Sequence, residues 1–411
     1  MIKLPDSQES YWRQAYPKKA LYPRLNQDME ADTIIIGAGI TGLTTAYLLK
    51  QSGLKVVVLD KATVGGGTTA RSTCKVTSQH NLVYADLESR LGERVAGDYG
   101  MANEAAIQQI DSIIKTQQID CDWRHDDNYV YTTEISKVKE LKHEAAIAAG
   151  LGLPASFTTD TPLPFDTVGA VKFSDQATFN SQKYLLGLAR AVDGDGSFVF
   201  EHSNVTSIKD GSPCRVKTKD GSVTATNIVV ATNVPTLPLA ARGGYCIKEY
   251  PRESFIVAGR PTKPIKGMYI SPDKGHYSIL QVEDENGPLI LIGGESNISG
   301  VRHGSKYKYK RLAEYAQKHF GVETIDYQWS DRDYLSYDSV PIIGKMYPWS
   351  KHLYVGTAFM KWGLSNGTVA AMILSDLITE QENPWVKTFD SNRFSPVASI
   401  PRVASKYIFR K

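Results

Sequence analysis

Hydrophobic positions in this chain follow two periods, and their alternation sets the element order. From Thr33 to Asp60 it reads TIIIGAGITGLTTAYLLKQSGLKVVVLD: an apolar run, a glycine turn, an apolar stretch of helical length, and a second apolar run. Unbroken apolar runs bounded by glycine turns suit strands buried on both faces, so this segment predicts a βαβ unit with parallel strands. Helical period dominates over residues 84–118 and again over 136–149. FSDQATFNSQKYLLGLARAV predicts a strand, a turn capped by Asn180, and a helix over 181–192. GSFVFEHSNVTSIKDG and PCRVKTKDGSVTATNIVVAT predict a small β-meander turning at Asp210-Gly211 and Asp220-Gly221, ending in the buried strand NIVVATN. From Pro235 to about Trp329 strands alternate with glycine and proline turns, which suits an antiparallel sheet. A strand, HLYVGTAF, and a helix over about 365–378 follow.

This order is not that of one uninterrupted Rossmann domain. It predicts an α/β fold in which a discontinuous dinucleotide-binding domain (31–90, 165–235 and 330–385) interleaves with an α+β, antiparallel-sheet substrate domain (91–164 and 236–329). Residues 1–30 read as an irregular arm anchored by Tyr11, Trp12, Tyr16 and Tyr22, and 386–411 as a basic tail.

Composition narrows the function class. With 411 residues, 42% hydrophobic and 22% charged, the chain has ordinary globular composition and length for two domains. Its four cysteines, Cys74, Cys121, Cys214 and Cys246, form no CxxC pair, which argues against a zinc site and a disulfide framework; no metal is expected. The N-terminus lacks the apolar core of a signal peptide and no apolar stretch reaches membrane-spanning length, so a cytoplasmic location is expected. A net charge of +3 gives no reason to expect nucleic acid as a partner. From Ser391 to Lys411, however, five basic residues (Arg393, Arg402, Lys406, Arg410 and Lys411) stand with no acid, reading as a solvated tail or a peripheral membrane-surface or partner contact.

The glycines Gly37, Gly39 and Gly42 have the spacing of a dinucleotide turn. Gly37 permits the sharp turn, Gly39 lets the backbone approach a pyrophosphate, and Gly42 lets the helix pack on the sheet. The phosphates then meet the helix N-terminus at Ile40 and Thr41. Asp60, with Lys61 beside it, ends the second strand where an acid accepts hydrogen bonds from the adenosine ribose.

Four stretches together resemble the D-amino acid oxidase/glycine oxidase (DAO) family of FAD-dependent oxidoreductases. These are GAGITG with Asp60; Gly67 to Thr73, similar to the loop of small residues and an arginine beneath the flavin; NIVVATN, with Asn233 where glycine is commoner; and DSVPIIG (Asp338 to Gly344) with LYVGTAFMKWGLSNG. Within the family the likeness is to a bacterial subgroup often fused to a Rieske domain. The paired CxH and CxxH motifs of a Rieske centre are absent here. The resemblance implies noncovalent FAD, since the stretch before DYLSYDSVP has no cysteine for attachment, with Cys74 a space-filling thiol. It places Thr69, Arg71, Ser72, Thr73, Val205, Ala231, Thr232, Gly344 and the segment Met360, Lys361, Trp362, Gly363 and Leu364 around the cofactor. Arg71 holds a flavin edge or a pyrophosphate oxygen, or else makes a plain surface ion pair. The last segment lies between an apolar strand and a helix N-terminus, where backbone amides and the helix dipole stabilise negative charge on the reduced ring. Lys361 adds charge there or faces substrate, the alternative being a surface lysine.

The expected reaction is FAD-dependent oxidation of the C–N bond of an amino acid or small amine, by hydride transfer to flavin N5 and hydrolysis of the imine. O2, a quinone or a protein carrier then takes the electrons. Such chemistry needs a substrate clamp more than a proton-shuttling triad. Arg252 and Tyr250 are the candidate clamp for a carboxylate, and His276 a candidate pocket residue; each also has a plain structural reading. The alternatives are a nucleotide-binding scaffold or electron-transfer component without amine oxidation, and an NAD-dependent dehydrogenase.

Overall fold

The computed structural model describes residues 2–16, 20–235, 245, 248–298 and 304–393. Two sheets organise them. The first runs Ile342–Lys345, Leu353–Thr357, Ser222–Val230, Asp28–Ile36, Val56–Leu59, Phe198–Phe200, parallel except for its antiparallel edge strand Ile342–Lys345. Its central residues, including Ile34, Val57, Ile228, Val229 and Val355, are fully buried because helices cover one face and a meander the other. Helix Ile40–Gln51 packs between helices Gly363–Ile378 and Ser181–Val192, which explains why it is apolar nearly all round.

The meander is Ser207–Lys209, Cys214–Lys217 and the first half of Ser222–Val230. Phe198–Phe200, read from its alternation as part of that meander, instead pairs in parallel with Val56–Leu59. Alternation reports a strand but not its neighbour. The cap of helix Ser181–Val192 follows the sequence: the Asn180 side chain accepts the Lys183 N–H at 3.1 Å. The helical stretch 84–118 is two helices, Tyr84–Leu91 and Glu93–Gln117, because Gly92 turns the chain at φ +87°.

The second sheet runs Ile325–Ser336, Glu249–Gly259, Gly287–Ile298, Ser278–Asp284, Met268–Ile270, Arg124–Thr132, Gly169–Thr178, Lys75–Val76, with Ala155–Thr158 beside Gly169–Thr178. Only the pairing of Met268–Ile270 with Arg124–Thr132 is parallel. Gly169–Thr178 thus belongs to this sheet although its segment, 165–235, reads as cofactor domain in the sequence. Helix Ser305–Phe320 packs on this sheet, in a region that reads as strands alone; Tyr309, Leu312, Ala313, Ala316 and Phe320 form its buried face. Among the described residues no helix is long and apolar enough to cross a membrane.

The N-terminal arm is a strut. Trp12 is 1% exposed and its Nε1 donates to Ser72 O at 2.8 Å, while Arg13 reaches Gln182 and Thr63. Strand Asp28–Ile36 begins inside the stretch that reads as irregular.

Candidate active site and cofactor cavity

A cavity of about 910 Å³ opens at the carboxyl edge of the parallel sheet and extends to the second sheet. Crevices at that edge are where open α/β sheets bind ligands. Gly37 turns at φ +112°, and a Cβ there would lie 2.5 Å from Ala231 O. A Cβ on Gly39 would lie 3.1 Å from Thr69 Oγ1 on the cavity wall; Gly39 gives the helix after it no side-chain cap, Thr69 Oγ1 accepts the Ile40 N–H at 3.2 Å, and the amides that follow are left for an anion. Gly42 does not reach the cavity. A Cβ on it would lie 1.9 Å from Gly37 O, so it serves helix packing.

Ile40, Thr41, Asp60, Lys61, Val205, Ala231 and Thr232 line this end. Asp60 also braces the turn, accepting the Ala38 N–H at 2.8 Å and the Ala62 N–H at 2.7 Å. Burial raises its pKa, and these two amides offset only part of that. Asn233 takes φ +67°, a conformation asparagine tolerates nearly as glycine does, and its Nδ2 donates to Thr68 Oγ1 at 3.1 Å. The turn Thr68–Arg71 runs along the cavity floor with Ser72 and Thr73. Arg71 lines it too, its Nη1 donating to Ser330 O at 3.3 Å.

Beyond this loop stands the segment Met360 to Leu364, every residue of which faces the cavity. Ala358, Met360 and Lys361 all have left-handed φ, at +59°, +57° and +71°, a concentration of backbone strain found where function requires it. Helix Gly363–Ile378 starts there without a side-chain cap. Trp362 stacks on His80 at 4.8 Å between centroids and 13° between planes. His80 is tied to Thr77 O at 2.7 Å, Ser365 Oγ at 3.0 Å and the Tyr99 hydroxyl, and burial lowers its pKa to about 3. It is neutral at physiological pH. Lys75, also buried, lies 5.5 Å from the Trp362 ring and donates to Tyr269 O; burial lowers its pKa to about 7.

At the far end Lys361, Arg252, His276, Asp331 and Asp333 meet on the wall. Lys361 Nζ donates to Ser296 Oγ at 2.6 Å, and Arg252 reaches the same serine. Burial lowers the Lys361 pKa to about 8, Arg252 adding to the shift and Asp333 opposing it. Burial raises Asp333 to about 6 against the pull of Lys361. Asp331, bonded by Thr68, is raised by burial and by Asp333. His276 is lowered by burial and by the charges of Lys361, Arg252 and Lys137.

Three residues that the sequence assigns to the site, Gly42, Tyr250 and Gly344, do not line the cavity, and Cys74 is the thiol expected near the cofactor. Two positions from Arg252, Tyr250 shares that residue's strand face, but it lies nearer the strand's start, packed on Tyr337 at 5.2 Å with Leu335 and Met360. Gly344 is on the edge strand, where its φ of +135° and missing side chain admit Ser391. Cys74 is buried behind the wall, its thiol pushed up to about 12 by burial. Cys246 lies outside the described residues, as do Arg402, Lys406, Arg410 and Lys411 of the basic tail. Arg393 does not belong to a solvated tail: it pairs with Asp338 at 2.9 Å. Sequence reasoning missed Ser296, Asp331, Asp333, His80 and Lys75. The DRD alternation at 331–333 was the available signal for the acids, whereas a lone serine carries none.

The residues present fit a dinucleotide: Gly37 and Gly39 on the wall, where a side chain would crowd the turn, a helix start facing it whose N-cap glycine supplies no cap, and a second helix start without a side-chain cap at the opposite end. Residues 32–377 match the family model DAO, described as FAD dependent oxidoreductase. The chain is 32% identical over 402 residues to a putative Rieske 2Fe-2S iron-sulfur protein, YhfW, of Bacillus subtilis, covering 97% of this chain and 78% of the relative. It is 25% identical to the gamma-glutamylputrescine oxidoreductase of Escherichia coli over 95% of this chain and 92% of that one. The structure of glycine oxidase from Geobacillus kaustophilus superposes with a TM-score of 0.73 at 20% identity, covering 89% of this chain and 99% of that one. The chain is a member of the DAO family of FAD-dependent oxidoreductases.

Proposed function

We propose that this enzyme oxidises the C–N bond of an amino acid or small amine that carries a carboxylate. The observation that carries the reading is the grouping of Arg252 and Lys361 with Asp333 on the cavity wall beyond the Met360–Leu364 segment. The similarity to gamma-glutamylputrescine oxidoreductase and glycine oxidase supports the same substrate class. The first sheet then serves the cofactor and the second the substrate.

Bound FAD supplies the hydride acceptor. Arg252 and Lys361 hold the substrate carboxylate, fixing the carbon that bears nitrogen. The nitrogen must react without its extra proton, and Asp333, made more basic by burial, accepts it. Trp362, braced by His80, closes one wall and excludes water. The start of helix Gly363–Ile378, which has no side-chain cap, would offer its partial positive charge to the negative charge that a bound flavin gains on reduction. The flavin is noncovalent, so acid precipitation should leave it in the supernatant.

The test is anaerobic mixing of the oxidised holoenzyme with D-amino acids, glycine, sarcosine, proline and polyamine derivatives, following the flavin band near 450 nm. Bleaching by a carboxylate-bearing amine is expected. Bleaching only by amines without a carboxylate would sink the reading. The experiment assumes no electron acceptor, whether O2, quinone or protein carrier.

A further inference from the structure

Strand Gly287–Ile298 is irregular where it passes the cavity. Asn297 pairs with Glu253 and Gly294 with Phe255, so Glu295 and Ser296 both stand opposite the single Ser254. Glu295 takes a left-handed φ of +51°, a conformation strained for a non-glycine residue. It is held there by its N–H bond to Gly275 O at 3.0 Å and by its carboxylate's ion pair with Arg311 at 3.2 Å. A bulge of this kind re-aims a side chain, and such strain persists only where the surroundings enforce it. The side chain that follows is Ser296, on the cavity wall.

Two cations converge on it. Lys361 Nζ donates to Ser296 Oγ at 2.6 Å, Arg252 Nε donates to the same oxygen at 3.2 Å, and Arg252 Nη2 donates to Ser296 O at 3.1 Å. One residue therefore fixes the Nε–Nη2 edge of the guanidinium and the ammonium together. A hydroxyl oxygen has two lone pairs, and these donors use both. The hydroxyl hydrogen must point away from the two cations, and among the described residues it has no acceptor. Two cations on its oxygen make it a stronger donor.

We propose that Ser296 is the centre of a three-donor carboxylate site: it positions Arg252 and Lys361 and gives its own hydroxyl hydrogen to the same substrate carboxylate. This rests on the carboxylate reading above. Three converging donors suit a planar carboxylate and reject the isosteric carboxamide, whose NH2 would face a donor. The sequence offers no hint of this role because a bulge, not a motif, creates it.

The test titrates anthranilate and its neutral isostere 2-aminobenzamide into the FAD-loaded full chain, reading Kd from the perturbed flavin absorbance. Wild type should favour the carboxylate. Ser296→Ala should shrink that preference roughly tenfold, the loss of one hydrogen bond to a charged group, with amide affinity and flavin content nearly unchanged. Ser296→Thr should restore it. Should Ser296→Ala fail to load flavin, Ser296→Cys, with a weak donor of similar size, should show the same loss. A preference unchanged in the Ala or Cys variant overturns the proposal. Arg252→Met separates the two ideas: if it alone abolishes the preference, the carboxylate reading stands without Ser296. If neither variant changes the preference, or wild type responds to neither probe, both fall.

Discussion

Asp333 and Lys361 have pKa values displaced toward each other, to about 6 and about 8, because both are taken from water into a narrow cavity. Between those values both are charged. Under the proposed roles kcat/KM should be bell-shaped over that window; Asp333→Asn should flatten the acid limb and Lys361→Met the alkaline limb. Each should lower the maximum at least tenfold, about 1.4 kcal/mol of transition-state binding. Stability should move the other way. The raised Asp333 contributes stability that is lost as pH rises through about 6, and the depressed Lys361 contributes stability that is lost as pH falls through about 8. At pH 7 both are therefore destabilising, and Asp333→Asn should raise the melting temperature there but not near pH 4. A lower melting temperature at pH 7 would contradict this account. At this scale the sequence showed Lys361 and Arg252, since their motifs and strand position mark them. It hid Ser296 and His80, whose partners come from distant segments: His80 meets Trp362 and Ser365 across 280 or more positions.

The elements divide by how local their causes are. Helix Ser181–Val192 was legible to the residue because its cap, Asn180, and its apolar period are both contiguous. The glycine turn was equally legible from its spacing, although only Gly42 answers a close approach within the βαβ unit, Gly37 meeting Ala231 and Gly39 meeting Thr69 from later segments. Gly42→Ala would set a Cβ 1.9 Å from Gly37 O and push the helix off the turn. It should cost about 1–3 kcal/mol, as overpacking does, and the purified protein should lose flavin on gel filtration; full flavin occupancy at wild-type melting temperature would refute the packing role. The break at Gly92 is local, a glycine at φ +87° inside a continuous helical period, whereas the edge position of Phe198–Phe200 escaped sequence reading because neither period nor propensity encodes which partner a strand meets.

For the whole molecule, the C-terminal segment acts as a clasp. Arg393 donates to both Asp338 oxygens, at 2.9 and 3.0 Å, and to the Pro341, Phe389 and Asp390 carbonyls. Burial alone would raise the Asp338 pKa, but Arg393, with the Val340 N–H and the Ser336 hydroxyl, more than offsets it and the net shift is downward. Stability from this pair is thus present above the ordinary aspartate range and lost as pH falls through the lowered value. Arg393→Ala leaves a buried carboxylate without its partner and should cost about 3–5 kcal/mol at pH 7, read as a lower denaturation midpoint, with a smaller deficit at pH 3; equal deficits would exclude the charge as cause. Sequence by itself determined the cofactor cradle and the class of fold, because a dinucleotide turn is built from neighbours along the chain. Only the tertiary structure decided what stands at the reacting end. There the second sheet brings Arg252, Ser296 and Asp333 from three strands to the loop that carries Lys361, and charge, burial and a single bulge act on groups that no contiguous stretch contains.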